Sequence, residues 1–203
     1  MATRLLLVRH GEAACRDRFL QHTCTGLSDL GRQQAKRLGR RLVADEGLKV
    51  DAVLASRAAR ALETAKIIAE ALCLDVAEST CDLCELHPGA AEGMTYEQMK
   101  ARWGPSYCDV PDAEYDDWIP RIRTSLMRLA STYAGQTAVC VTHNGVIKTS
   151  FSVLGGLPEP RRTAKNTSIT EWWNAVTDES EPTTWRFKRF NDTRHLGVDD
   201  LLT

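Results

Sequence analysis

No apolar run in this 203-residue chain approaches the 18 or so residues that a membrane span needs. The first such run, Leu5–Val8, is four residues long and meets charge at once, so it reads as neither a signal peptide nor an anchor. Excess charge is missing as well. Twenty-six basic and 27 acidic residues leave a net charge of −1, which gives no global reason to expect nucleic acid or an anionic membrane as partner. Seven cysteines, an odd number without an export signal, argue for reduced thiols and a cytoplasmic location. Cys81 and Cys84 form a C-x-x-C, but no matching C-x-x-C or H-x-x-x-H exists, so neither a metal site nor a cofactor is expected. Internal repeats and domain boundaries are also lacking. Residues 1–203 should form one domain, large enough to bury a continuous core.

What is present is an alternation of short apolar strands and amphipathic helices. Leu5–Val8, Ala52–Ala55 and Thr137–Val141 read as buried strands. Ser28 can cap a helix to about Glu46, with Leu30, Gln34, Leu38 and Leu42 on one side; Arg32, Lys36, Arg37, Arg40 and Arg41 occupy the other. No aromatics interleave with those cations, so the basic side reads as a solvated face rather than a nucleic-acid patch. Ala58–Leu72, Thr95–Trp103, about Asp116 to Tyr133, and Val146–Leu154 read as further helices. Ile169–Ala175 and Trp185–Phe190 suggest a closing hairpin across a polar Thr177–Pro182 turn. The pattern implies an α/β fold, a three-layer α/β/α sandwich around a doubly wound, mostly parallel sheet. From Val76 to about Tyr115 the pattern turns irregular. The stretch of about 86–120, with its acidic Asp109–Trp118 portion, is either a lid-like insertion or a plain connection packed by Trp103 and Trp118.

The chemistry-bearing residues fall where strands end. Leu5–Val8 runs into Arg9-His10-Gly11, and Thr137–Val141 into Thr142-His143-Asn144-Gly145. Crevices of open α/β sheets lie at the carboxyl ends of the strands. Arg60 falls in the first turn of a helix, where a cation opposes the macrodipole unless it and the helix amides share an anion. It could equally be a surface arginine, and His143 alone could be a satisfied structural histidine. Repetition of the strand-then-histidine pattern is what points to a site.

In order along the chain, these segments resemble the histidine phosphatase superfamily, named for phosphoglycerate mutase. The matches are Arg9-His10-Gly11-Glu12, Leu27-Ser28 with Gly31 and Gln34-Ala35, and Ser56-x-x-x-Arg60-Ala61-x-x-Thr64-Ala65. To these are added Glu85-x-x-x-Gly89-x-x-Glu92-Gly93, Thr142-His143-Asn144-Gly145 and the tail Asn191–Leu196. The resemblance implies that His10 attacks phosphorus and carries a phosphohistidine that water then cleaves. Arg9, Arg60 and His143 would bind and stabilise the phosphoryl group, and Glu85 would serve as general acid and base, with Glu92 the alternative. No metal would be needed, since the cations are already built in.

Departures from the family pattern narrow the reading. Arg57 stands where proline is usual, and Arg16 and Cys24 replace residues typical of mutases and sugar-bisphosphate phosphatases. A longer insertion typical of mutases hardly fits in this length. Hydrolysis of a small phosphomonoester is therefore expected over phosphoglycerate mutase-type transfer or a non-catalytic module that binds phosphorylated ligands or proteins. Arg16, Arg18, Gln21 and His22 lie in the loop that would roof the pocket, and Asn144 lies beside His143; these are the candidate substrate-binding residues. Arg16 or Arg18 could pair with a second phosphate or carboxylate, or remain solvated loop charges. Oligomeric state leaves no trace in the sequence.

Overall fold

Alternate residues of each central strand face opposite layers of helices, and this alternation sets the architecture. The computed structural model describes residues 2–15, 18–21, 23–174 and 185–197. Six strands form one sheet: β1 (Thr3–Arg9), β2 (Ala52–Ser56), β3 (Val76–Thr80), β4 (Thr137–Thr142), β5 (Ile169–Asn174) and β6 (Trp185–Asp192). Their order is β3-β2-β4-β1-β5-β6. The first four in that order run parallel, and β5 and β6 close the edge as an antiparallel hairpin. The helices are α1 (Asp29–Ala44), α2 (Ala59–Ala71), α3 (Tyr96–Trp103), α4 (Trp118–Thr132) and α5 (Asn144–Gly155).

Leu6, Val8, Val53, Ala55, Val139 and Val141 pack against Leu38 and Leu42 of α1 and Ala61, Ala65 and Ile68 of α2. The intervening Leu5, Leu7, Leu54, Ala138 and Cys140 meet Ile122 and Leu126 of α4 and Val146, Ile147 and Phe151 of α5. The strands are apolar throughout because both faces are covered. The result is the three-layer α/β/α sandwich. Ser28 caps α1 as expected, its hydroxyl accepting from the Gly31 amide. That helix stops at Ala44, two residues short of Glu46. Helix α4 begins at Trp118 rather than Asp116, and α5 begins at Asn144, two residues ahead of Val146.

One expectation is corrected outright. The irregular stretch from Val76 opens with a strand, β3, paired in parallel with β2. It is an edge strand, none of its residues is fully buried, and its last three, Glu78, Ser79 and Thr80, are polar. Ladder hydrogen bonds define it, and those leave no periodic apolar mark. The 86–120 stretch is built of two 3₁₀ turns (Gly89–Ala91 and Tyr107–Asp109) around α3, which starts with a Thr95/Gln98 capping box. Ala91, Met99 and Val110 form a small core there with Phe19, Trp103 and Tyr107. Trp103 and Trp118 thus serve different cores: Trp118 packs under α5, its indole N–H donating to Thr149 at 3.1 Å. The expected Thr177–Pro182 turn lies outside the described residues. All seven cysteines are free thiols. Among the described residues, no helix is long and apolar enough to cross a membrane.

Trp172 of β5 is fully buried, its ring edge-on to Phe151 and its indole N–H bonded to Ser150 at 3.0 Å. Trp172→Ala is expected to cost about 3–5 kcal/mol in urea unfolding, with Val43→Ala, on an exposed face, within about 0.5 kcal/mol of the parent.

Candidate active site

Three elements end at one place. Strand β1 delivers Arg9 and His10, β4 delivers His143, and the first turn of α2 delivers Arg60. The chain is pinned as it leaves β1: the His10 amide donates to the Thr142 carbonyl at 2.9 Å, and the Gly11 amide to Thr64 Oγ1 at 3.0 Å. Gly11 is required there, since a Cβ would come within 2.6 Å of the Gly31 carbonyl oxygen. Asn166 completes the hold by donating from its amide to the His10 carbonyl at 2.8 Å.

The buried His10 ring has fixed polarity. Its Nδ1 lies 2.7 Å from the Gly11 carbonyl, which only accepts, so Nδ1 carries the proton. Its Nε2 lies 3.1 Å from Arg60 Nε, which only donates, so Nε2 presents its lone pair. Arg60 spends its other donors on the Leu20 carbonyl at 2.6 Å, Gln21 Oε1 at 2.8 Å and His143 Nδ1 at 3.2 Å. His143 Nδ1 must therefore accept, and His143 Nε2–H faces Ser56 Oγ at 2.8 Å. The two imidazoles stand edge to face, with centroids 5.1 Å apart.

Burial, then the charges of Arg60 and Arg9, holds the His10 pKa well below 6.5. Burial lowers His143 as well, reinforced by His10, Arg60 and Arg9. Both rings are neutral at pH 7. Arg9 donates to the Ala164 carbonyl at 2.6 Å, while its buried Nε has no hydrogen-bond partner among the described residues. An unused guanidinium donor beside a neutral imidazole is an arrangement suited to an anion.

Glu85 follows the 3₁₀ turn Cys81–Leu83, and its carboxylate accepts from the Gly145 amide at 2.9 Å and the Leu86 amide at 3.2 Å. A Cβ on Gly145 would collide with Glu85 Oε1. Glu92, the alternative carboxylate, instead accepts from the Gln21 amide at 3.0 Å and from Thr23. It ties down the roof loop. Two recesses meet at His10. One, of about 420 Å³, is lined by Glu85, His143, Asn144, Gln21, Phe19 and Tyr107; the other, of about 440 Å³, by Glu12, Ala13, Cys24 and Asn166; Arg9, Arg18 and Arg60 border both.

His10, Arg9, Arg60, Glu85, His143, Gln21, Arg18 and Asn144 thus share one cavity. Arg16 and His22 lie outside the described residues. Gln21 spends its side-chain oxygen on Arg60, Asn144 spends its own on the Ala164 amide, and Arg18 donates to the Gly93 carbonyl. Sequence reasoning missed Tyr107, whose phenol burial and the nearby Glu85 push up to about 12. It also missed Asn166, and gave no role to Ser56 and Thr64, although both stand in a quoted motif.

The profile of the histidine phosphatase superfamily (branch 1) matches residues 5–193. Phosphoglycerate mutase-like protein 4 of Arabidopsis thaliana is 32% identical over 215 residues, covering 98% of this chain and 89% of its own. A mycobacterial glucosyl-3-phosphoglycerate phosphatase superposes with a TM-score of 0.78 at 25% identity, covering 95% of this chain and 100% of its own. A phosphoserine phosphatase variant from Entamoeba histolytica, solved with phosphoserine, gives 0.74 at 26% identity, covering 96% and 99%.

The lowered imidazoles make stability depend on pH with a definite sign. As pH falls through 6.5, the unfolded chain takes up protons that folded His10 and His143 refuse. Stability is full above that pH and declines from there toward the lowered folded pKa values. Thermal melts between pH 7.5 and 5 in phosphate-free buffer should show Tm falling with acidity, and the slope should flatten in His10→Ala and in His143→Ala.

Proposed function

Given that the chain belongs to the histidine phosphatase superfamily, we propose that it hydrolyses a small phosphomonoester through a phosphohistidine on His10. The observation that carries this reading is the fixed polarity of that ring: Nδ1–H is tied to the Gly11 carbonyl and the Nε2 lone pair points into an arginine-lined cavity. Nucleophilic imidazole must be neutral with a free lone pair, and the lowered pKa keeps it so. Arg60 covers that lone pair before substrate enters. A phosphoryl group draws the guanidinium onto its oxygens and uncovers Nε2. Arg9 offers its unused Nε, and His143 becomes a third donor on taking up a proton.

In the first step His10 Nε2 bonds to phosphorus and the ester P–O bond breaks. Its electron pair goes to the leaving oxygen, which takes a proton from Glu85 in its acid form and departs as an alcohol. In the second step Glu85, now a carboxylate, removes a proton from water. The water oxygen bonds to phosphorus, the P–N bond breaks, and inorganic phosphate and neutral His10 remain. Positive charge fixed in place for the equatorial oxygens is the main source of acceleration in such transfers, and losing one donor typically costs about 10²–10³ in rate.

The cavity supports a small organic phosphate. Phe19, Leu20 and Tyr107 give an apolar wall, and Arg18 stands at the border of both recesses, where a second anionic group of the substrate would reach it. The two structural relatives are phosphatases of phosphoserine and glucosyl-3-phosphoglycerate by name, both carrying a carboxylate near the phosphate. The second recess leaves space for water beside His10, which favours hydrolysis over transfer.

Turnover of nitrophenyl phosphate by the parent and its absence in His10→Ala test the nucleophile. Radiolabel from a labelled ester should be trapped on the parent and not on His10→Ala; turnover retained in His10→Ala would remove the reading. Glu85→Gln should lose about 10²–10⁴ in kcat with alkyl phosphates and far less with nitrophenyl phosphate, whose leaving group needs no acid. Equal losses on both would argue against a leaving-group acid. Gly145→Ala should displace the Glu85 carboxylate and cost about 10²-fold on alkyl phosphates, with the same leaving-group dependence.

A further inference from the structure

Beside the phosphate pocket lies a second cluster, which the hydrolysis does not use. Cys81, Cys84 and His87 each bring one ligand-capable atom to a site where all three lie within 4.8 Å of one another. We propose that these three residues bind one zinc ion, clasping the turn on both sides of Glu85. This inference is independent of the proposed hydrolysis, in which no metal takes part.

The donor set is the first argument. Two thiolates and an imidazole are soft-to-borderline ligands in the proportion that zinc favours, with the fourth tetrahedral position left to solvent. Bond lengths of about 2.0–2.3 Å place tetrahedral ligands roughly 3.3–3.8 Å apart. Cys81 Sγ already stands 3.3 Å from His87 Nε2, so closing the set asks for a contraction of about 1–1.5 Å at most. Coordination releases the two thiol protons, and the resulting thiolates cancel the charge of the ion. No net charge is added beside the cationic pocket.

Preorganisation is the second. Cys81 and Cys84 sit at either end of one 3₁₀ turn, the Cys84 amide donating to the Cys81 carbonyl at 2.9 Å. Arg121 holds the same turn from outside. It donates to the carbonyls of Cys81 and Asp82 at 3.0 and 3.1 Å and to that of Cys84 at 3.2 Å, while Glu114 anchors the guanidinium. Backbone carbonyls are thereby occupied and the sulfurs are left as the ligands. Outer contacts of this kind orient and tune metal ligands. Ser56 supplies one directly, its hydroxyl donating to Cys84 Sγ at 3.2 Å. That hydroxyl accepts in turn from His143 Nε2, so a thiolate at Cys84 is felt at the second histidine of the phosphate pocket.

The test uses the whole chain, reduced and stripped of metal, titrated with zinc chloride against a chromophoric zinc chelator. One equivalent should bind with sub-micromolar Kd and raise Tm. Cys81→Ser and His87→Ala should each weaken binding by about 10²-fold or more while melting, without metal, within a few degrees of the parent. Cobalt(II) in place of zinc should give tetrahedral d–d bands and a sulfur charge-transfer band that shrinks in Cys81→Ser. The His143 ring resonances should shift as zinc is added. Zinc held no more tightly by the parent than by the two variants would overturn the proposal, as would a cobalt spectrum without the sulfur band. A Cys81–Cys84 disulfide whose reduction still yields no zinc binding would do the same. Nitrophenyl phosphate turnover of the metal-free protein reports on the hydrolysis separately, so either reading can fail alone.

Discussion

One guanidinium organises the interior of this site. Arg60 donates to His10 Nε2, His143 Nδ1, Gln21 Oε1 and the Leu20 carbonyl, and so touches the ends of β1 and β4 and the roof loop at once. A cation held there adds to the burial that keeps both imidazoles neutral, and its N–H groups, by donating to His10 Nε2 and His143 Nδ1, require those two nitrogens to be unprotonated. The helix start that bears it carries no acidic residue in its first turn. Placing a cation against a helix N-terminus is mildly unfavourable until an anion arrives. Scaffold and ligand preference follow from the same choice.

Much of what looks like catalytic signature is bracing. Gln34 of α1 does not line the pocket; its side-chain oxygen accepts from the Glu12 amide at 2.9 Å. Ser28 caps α1 and also donates to Glu12 at 2.7 Å. Glu63 of α2 accepts from the Leu27 amide at 2.7 Å and pairs with Arg32. Gly31 is needed because a Cβ would run into the Glu12 backbone. These contacts fasten the segment just after His10 to two helices and so hold its imidazole in place. The nucleophilic role proposed for His10 depends on geometry held this closely.

The sheet and its helices were legible because parallel strands covered on both faces leave unbroken apolar runs, as in Leu5–Val8 and Ala138–Val141. Edge strand β3 was not, since its residues need satisfy only one neighbour and little burial. The convergence of His10, Arg60 and His143 was legible because strand ends and a helix start mark the same side of such a sheet. Asn166 and Tyr107 were not, for they come from loops whose path depends on tertiary contacts. His87 escaped for a narrower reason. A search for paired ligands passes over a lone histidine three residues beyond a C-x-x-C, and only the turn through Glu85 and Leu86 brings its ring back to Cys81.

The roof resists local reading for a related cause. Phe19 exchanges backbone hydrogen bonds with Gly93 and Met94, at 2.7 and 2.8 Å, and stacks edge-on with Tyr107. Arg18 donates to the Gly93 carbonyl, and Glu92 holds Gln21 and Thr23. The loop after His10 and the stretch after Glu85 are therefore one layer, stitched from two places about 70 residues apart. A substitution on either side of that stitching moves a wall of the cavity, and through Gln21 it moves the acceptor on which Arg60 leans. The shape of that wall belongs to the seam between the two segments rather than to any one residue in them, and a motif, which is local by construction, has no way to express it.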